Sequence, residues 1–330
     1  MNKLYIILAT FVTISVIATS CLDKYPEDAI PTDKAITNLE ELDQAAIGMY
    51  ASLKSSALYS GYLTLLPDIQ CDMVHAVNGY TNTYGNIWRW DILSTNSEIT
   101  AVYASLYNVI ASANFLLEYA PRVEKDLTTD EEWSQYEQIC GEAYFARALA
   151  YSELIKLYCK SYESPEQAEN ELGVVIVTKY NTDEPMVRAS LAKSYDRVIK
   201  DLEMAAKLLD IDENNVGGNI YNATYFNEYT AYALRARVAL YMKDYEAAID
   251  YSSRVIDHPN KAYSLSSATS LYTADMSFFD YMWAYDLATE TIWQVGFTET
   301  SYGGALGSVF LNYTTDYYYF YPDYVPAQWV

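Results

Sequence analysis

The chain has 330 residues, and its 44 Asp and Glu against 21 Lys and Arg give a formal net charge of −23. Binding to nucleic acid needs clustered Lys and Arg that neutralise phosphates, so this balance argues against a nucleic-acid partner. Tyrosine is unusually frequent, with 35 residues against 9 Phe. Its apolar ring and hydrated hydroxyl suit surfaces that bind sugars or wet protein interfaces, although most tyrosines are expected to fill seams between helices.

The N-terminus predicts a bacterial lipoprotein signal peptide over residues 1–20. Lys3 precedes a mostly apolar run over residues 4–18, and small residues then lead to Cys21. The run is shorter than the roughly 20 apolar residues that span a bilayer, so a transmembrane helix is the weaker interpretation. A simple secretory leader with an incidental cysteine is the other alternative. We expect cleavage before Cys21, lipid on that cysteine, and a proline-broken tether over residues 21–38.

Helical periodicity dominates the chain after the tether. In six segments apolar side chains recur at steps of three and four, which is typical of helices with one buried face. These segments are 39–53, 97–119, 132–158, 190–209, 225–242 and 245–257. Ser190 and Asp244 are predicted to cap the helices that follow them. Residues 143–151 are apolar almost all round, so other helices must surround them.

The last two predicted helices resemble one tetratricopeptide-type repeat, from Ala231 to Ala248. Segments 132–158 and 190–209 have the same small-residue seam, but a long loop separates them and a regular period of about 34 residues is absent. We therefore predict a mainly α fold: one domain over residues 39–330, with a tetratricopeptide-like helical repeat core, long irregular loop insertions and little β. Residues 290–297 alternate in the manner of a strand.

Several stretches, taken in order behind the leader, resemble the SusD/RagB family of outer-membrane nutrient-binding lipoproteins. The main ones are Leu22-Asp23-Lys24-Tyr25-Pro26, Leu39 to Leu53, Gly141-Glu142-Ala143-x2-Ala146-Arg147-Ala148, Tyr195 to Ala205, Ala233 to Tyr241 and Glu290-Thr291-Ile292-Trp293. Members of that family are usually longer, with further helices after the stretch matched by Pro326 to Trp329. The resemblance therefore implies that the C-terminal part of the family fold is missing here.

The resemblance also implies a function. Such proteins are lipid-anchored in the outer membrane, face the cell exterior, and cap a TonB-dependent, SusC-like transporter. They capture oligosaccharides, or sometimes peptides, and deliver them to the transporter without covalent chemistry and without a cofactor. For this chain the expected partners are the transporter, an oligosaccharide, and the membrane through the lipid on Cys21.

Aromatic side chains interleaved with amides are the candidate ligand-binding residues, because a sugar packs its CH face on a ring and directs its hydroxyls to polar groups. The candidates are Tyr84, Asn86, Trp88 and Trp90 in one polar loop, and Trp283 and Tyr285 further along the chain. The alternative is that the tryptophans pin these loops to the helical core. A tyrosine-rich run at 317–321 is a third candidate, for which an interface or core role is favoured.

Metal and catalytic patterns are weak. Asp68, Asp72 and His75 are better explained as a solvated surface, and the sequence after Asp210 lacks the glycine and the glutamate of a calcium-binding EF-hand loop. The chain has two histidines and no Gly-x-Ser-x-Gly motif, so we predict neither an enzyme nor a metal protein. Two other functions stay open: a tetratricopeptide-like protein-interaction adaptor with no glycan site, and a surface glycoside hydrolase that uses paired carboxylates.

Two further predictions concern buried groups. Arg147 and Arg237 lie in alanine-rich helical seams and are expected to be buried ion-pair partners. If Cys21 carries lipid, three cysteines remain, and an odd number argues against a full disulfide framework. Cys71, Cys140 and Cys159 are therefore expected to be buried free thiols.

Overall fold

The computed structural model describes residues 34–180, 183, 185–209, 223–257, 263–285, 288–298, 306–311 and 322–328. The predicted signal peptide, Cys21, most of the tether, the stretch after Asp210 and the run at 317–321 lie outside these residues.

The described part of the chain is mainly helical, and all six predicted helices are confirmed to within three residues at each end. The helices are α1 Leu39–Leu53, α2 Tyr62–Gln70, α3 Gly85–Trp88, α4 Ser97–Tyr119, α5 Asp130–Tyr158, α6 Pro165–Asn170, α7 Leu191–Leu208, α8 Glu228–Tyr241, α9 Tyr245–Ile256, α10 Phe278–Tyr285 and α11 Leu306–Leu311. The short helix α2 was not predicted, because Pro67 interrupts its pattern and remains inside it.

Strands occur as three antiparallel pairs in the described residues. β1 Val74–Ala76 pairs with β6 Tyr324–Pro326, β2 Leu172–Val175 with β3 Arg188–Ser190, and β4 Leu271–Thr273 with β5 Met276–Ser277. The strand prediction for residues 290–297 is wrong. Residues 291–297 belong to no strand, although the Gln294 N–H donates to the Ala223 carbonyl at 2.9 Å. Their alternation instead reflects Trp293 packing against the helical core.

Local capping explains where the long helices begin. The Ser190 side chain accepts a hydrogen bond from the Lys193 N–H, and the Asp244 side chain accepts one from the Ala247 N–H, so both predicted caps are confirmed. Helix α5 begins with a capping box formed by Thr129 and Glu132.

Helix α5 lies at the centre of the main core, between α4 and α7. Its alanines at 143, 146, 148 and 150 are fully buried, and their small side chains let the neighbouring helices approach closely.

Among the described helices, only α4 with the turn after it is long and apolar enough to cross a membrane. Its buried stripe packs on α1 and α5, as in the core helix of a globular protein.

A buried ion pair links three helices of the core. Arg147 donates from Nε to Asp201 Oδ2 at 2.8 Å and from Nη2 to Asp201 Oδ1 at 2.7 Å. Its Nη1 donates to Asn114 Oδ1 at 2.7 Å, and Asn114 Nδ2 donates to the Val177 carbonyl at 2.9 Å. The buried ion pair predicted for Arg147 is confirmed, and it also fastens the loop after β2 to α4.

Two predictions of burial are wrong. The Arg237 side chain is 46% exposed and lies 3.7 Å from the Glu153 carboxylate, because α8 is at the edge of the helical repeat. Cys71 is exposed, because it follows the last turn of α2 at the surface. Cys140 is a buried free thiol as predicted, and burial raises its pKa to about 11. Cys159 is a free thiol but only half-buried.

A second, smaller core supports the loop that carries the predicted ligand residues. Helices α2, α3 and α11 pack there with the β1–β6 pair, around Ile69, Val74, Ile87 and Tyr324. Since β6 comes near the end of the described chain, this core joins segments about 250 residues apart in the sequence.

Candidate functional site

The polar loop at residues 77–90 is held in place by β6 and the residue before it. Thr81 donates from its N–H and its hydroxyl to the Asp323 carboxylate, at 2.7 and 2.6 Å. The Tyr324 hydroxyl donates to the Thr83 carbonyl at 2.7 Å. Burial acts to raise the pKa of Asp323, but the hydrogen bonds from Thr81 outweigh it and lower that pKa. The ionised carboxylate therefore anchors the loop.

Arg89 organises the outer surface of this loop. Its Nη1 donates to the Tyr80 hydroxyl and to Asn82 Oδ1, both at 2.9 Å, and its Nη2 donates to Asn86 Oδ1 at 3.1 Å. All three acceptors are neutral, so the guanidinium keeps its full charge at an exposed position. The result is a fixed array of hydroxyl, amide and guanidinium groups.

The two tryptophans beside Arg89 have different environments. Trp88 is half-buried in the smaller core, with its ring 5.8 Å from that of Tyr80. Trp90 is 65% exposed. Tyr84 packs edge-on to Tyr62 at 5.6 Å, so it belongs to the support of the loop. Of the four residues predicted here, Trp90 and Asn86 lie at the accessible surface and Trp88 and Tyr84 lie behind it.

Backbone strain marks the same loop. Asn82, Tyr84 and Trp90 have φ values of 66°, 53° and 59°. Residues with side chains adopt this left-handed region at a cost of order 1–3 kcal/mol each, and such residues cluster at ligand sites. At Trp90 this backbone conformation accompanies an indole ring that is exposed to solvent.

A separate aromatic surface is formed by α10 and β4, and Trp283 and Tyr285 lie on different sides of it because they are two positions apart on the helix. Their exposed fractions are 72% and 57%. The Trp283 ring lies 6.1 Å from that of Phe279. The rings of Tyr272, Tyr281 and Tyr285 follow one another at centroid distances of 3.9 and 4.8 Å. Within the described residues, no hydrogen bond or ring contact joins this surface to the loop at 77–90, so the two predicted groups remain apart.

A third feature escaped the sequence predictions. A cleft of about 900 Å³ lies between the C-terminal half of α1 and the segment 291–298. Its lining residues are Ile47, Tyr50, Ala51, Leu53, Lys54, Thr224, Tyr225, Trp293, Gln294, Val295, Gly296, Phe297 and Thr298. They come from three distant parts of the chain, so no motif or spacing could have revealed them together.

Buried polar groups fix Tyr50 in the wall of this cleft. The Phe226 N–H donates to the Tyr50 hydroxyl at 2.9 Å, and that hydroxyl hydrogen-bonds the buried carboxyl of Glu142. Gln138 donates from Nε2 to Glu142 Oε1 at 3.0 Å and to the Phe226 carbonyl at 2.9 Å. Burial raises the pKa of Glu142 to about 7 despite these hydrogen bonds.

The weak metal pattern does not form a site. Asp68 lies in α2, Asp72 lies in a turn with φ of 60°, and His75 lies in β1. No group of three or more potential metal ligands is found within the described residues.

Comparison with known proteins decides the family. Residues 21–240 match the profile of the SusD-like family described as starch-binding and associating with the outer membrane. The chain belongs to the SusD-like family. The resemblance seen in the sequence is therefore confirmed, and the helical, tetratricopeptide-like fold class is confirmed with it.

Solved structures of similar fold include proteins of Bacteroides species. A SusD superfamily protein of Bacteroides thetaiotaomicron has a TM-score of 0.70 and 21% identity, covering 88% of this chain and 60% of its own. A putative sugar-binding protein of Bacteroides vulgatus has a TM-score of 0.66 and 23% identity, covering 84% of this chain and 59% of its own. SusD-like protein P2 of Formosa agariphila is 21% identical over 262 residues, which are 78% of this chain and 46% of that protein. This chain thus spans about half to three fifths of the length of these relatives.

Proposed function

We propose that this member of the SusD-like family is a cell-surface lipoprotein that captures oligosaccharides and delivers them to a TonB-dependent transporter. The observation that carries the proposal is the exposed Trp90 ring beside the polar array of Arg89, Asn82 and Asn86. The family description and the sugar-binding name of one structural relative support it.

The chemistry of the loop suits a sugar. An exposed indole offers a flat apolar face to the CH groups of a pyranose ring, and amide and guanidinium groups can bond the hydroxyls at the ring edge. Because Asn82 and Asn86 are already held by Arg89, they lose little conformational freedom when a ligand binds. The residues of α10 around Trp283 and Tyr285 would provide a second contact for a longer chain.

The proposed capture is tested by isothermal titration of the protein with a panel of neutral and acidic oligosaccharides. We expect Trp90→Ala to weaken binding about tenfold, which corresponds to about 1.4 kcal/mol of lost stacking. Trp133→Ala is the matched control, since Trp133 is 40% exposed on α5 and belongs to neither aromatic surface. Equal effects of the two substitutions, or no binding of any glycan by the folded protein, would refute the proposal.

The proposed location and partner rest on Cys21 and the family. Replacement of Cys21 by Ser is expected to abolish incorporation of labelled fatty acid and to release the protein from the outer-membrane fraction. The proposed association with a TonB-dependent transporter is tested by co-purification from native outer membranes. Retention of Cys21→Ser in the membrane, or the absence of any TonB-dependent transporter from the purified complex, would contradict this part.

One observation favours a second function, that of a protein-interaction adaptor. The α8–α9 hairpin resembles a tetratricopeptide repeat, and on α9 the side chains of Tyr245, Ile249 and Ile256 are 60%, 66% and 68% exposed. The end of a helical repeat is normally polar unless another element covers it. The adaptor function makes two requirements. No glycan should bind to the wild-type protein, and Trp90→Ala should still associate with the transporter.

A further inference from the structure

The cleft beside α1 differs in charge from the rest of the molecule. The chain carries 44 acidic residues, yet among the described residues that line the cleft there is no Asp or Glu. Within this described lining, Lys54 is the one charged residue. The described lining therefore contributes one positive charge in a protein of net charge −23. An unpaired lysine in a cleft favours a ligand that carries an anionic group.

Lys54 is placed so that its charge remains available. Its side chain is half-buried, and Nζ lies 5.2 Å from the centroid of the Phe297 ring. It forms no ion pair with any carboxylate of the described residues. The aromatic ring therefore orients the ammonium group by a cation–π contact and leaves its hydrogens free to bond an anion.

The walls of the cleft are those of a carbohydrate site. Tyr225 and Phe297 are 55% and 40% exposed, and the ring of Tyr50 lies 5.6 Å from that of Tyr225. The side chains of Thr224 and Gln294 add hydroxyl and amide groups. A volume of about 900 Å³ lies in the range of ligand pockets, roughly 300–1,000 Å³.

A buried carboxyl lies behind the wall of the cleft. Glu142 bonds the hydroxyl of Tyr50 and the side chain of Gln138, and its pKa is raised by burial and, to a smaller extent, by the charge of Asp43. Burial favours its neutral form, which holds Tyr50 in position without adding a full negative charge behind the wall.

We propose that this cleft binds an acidic unit of an oligosaccharide, with the Lys54 ammonium paired to a carboxylate or sulfate group and the rings of Tyr50, Tyr225 and Phe297 packed on the sugar. This inference rests on the proposed glycan-binding function and deepens it, because it names the chemical class of the ligand.

The test compares a galacturonate hexamer with a neutral glucose hexamer, by isothermal titration at low salt. Lys54→Met removes the charge but keeps a chain that can pack on Phe297, and Lys54→Arg keeps the charge. We expect Lys54→Met to weaken binding of the acidic hexamer about tenfold, the effect of one charge-assisted hydrogen bond, and to leave the neutral hexamer unchanged. Lys54→Arg should stay within about threefold of wild type, and added salt should weaken only the acidic hexamer.

The outcomes distinguish this inference from the proposed function. Binding of the neutral hexamer with no effect of Lys54→Met on the acidic hexamer overturns the cleft site and leaves glycan capture intact. Failure of the acidic hexamer to bind wild type overturns the cleft site, and failure of every glycan of the panel to bind overturns both. Binding of the acidic hexamer that depends on Trp90 and not on Lys54 also overturns the cleft site. A lysine at a helix C-terminus is favoured by the helix dipole, so a change in melting temperature without a change in affinity would assign Lys54 to stability alone.

Discussion

Glu142 offers a direct test of the buried network behind the cleft. Its side chain is 6% exposed, accepts a hydrogen bond from Gln138 and is bonded to the hydroxyl of Tyr50. Substitution Glu142→Gln keeps the shape and a hydrogen-bond acceptor but cannot ionise. The difference in unfolding free energy between variant and wild type, followed against pH, therefore isolates the cost of the charge.

The magnitude follows from the pKa. Burial raises the pKa of Glu142 from 4.5 to about 7, so the folded protein binds this proton more tightly than the unfolded chain. The contribution of this tighter proton binding to the free energy of unfolding is fully present below pH 4.5 and is lost as the pH rises through 7. At 1.36 kcal/mol per pKa unit, the wild type is expected to lose about 2.5 kcal/mol relative to Glu142→Gln between pH 5 and pH 8.5.

Urea denaturation followed by tryptophan fluorescence, at constant ionic strength and at several pH values, measures this difference. Glu137→Gln on the exposed face of the same helix is the control, and its difference from wild type should stay within about 0.5 kcal/mol across the range. If the unfolding free energies of Glu142→Gln and wild type run parallel from pH 5 to 8.5, the carboxyl is ionised in the folded protein and the reasoning is wrong.

Other substitutions test the packing of the core by the same denaturation assay. Asp201→Asn leaves buried guanidinium groups without their counter-charge and should cost about 3–5 kcal/mol, whereas Arg197→Gln, at a side chain 23% exposed, should cost about 1 kcal/mol or less. If Asp201→Asn and Arg197→Gln lower the free energy of unfolding equally, the ion pair of Asp201 with Arg147 is not a buried, uncompensated charge when broken, and the reasoning is wrong. A Cβ on Gly173 would lie 2.5 Å from the Ser190 carbonyl oxygen, so Gly173→Ala should destabilise by about 1–3 kcal/mol. Gly48→Ala, at an exposed position of α1 with nothing within 4 Å of the added Cβ, should stabilise by about 0.5–1 kcal/mol. Changes of the opposite sign would contradict both assignments.

The helices of the repeat core could be predicted because their signals are local. Apolar residues at steps of three and four, with Ser190 and Asp244 as caps, define α7 and α9 within a few neighbouring residues. Burial of Arg147 could be predicted as well, since an arginine on a helix that is apolar all round requires a partner. Arg237 has the same local surroundings, but it lies at the edge of the fold, and no local pattern distinguishes the edge from the centre.

The candidate site could be predicted only in part. The composition of the loop at 77–90, with its tryptophans and amides, is visible in the chain without any structure. The inward packing of Trp88 and the outward direction of Trp90 depend on the fold, because β6 and the left-handed turns set the direction of each ring. The cleft depended on tertiary structure entirely. Tyr50, Tyr225 and Trp293 meet through the folding of distant segments, and contacts of that range leave no period or spacing in the chain.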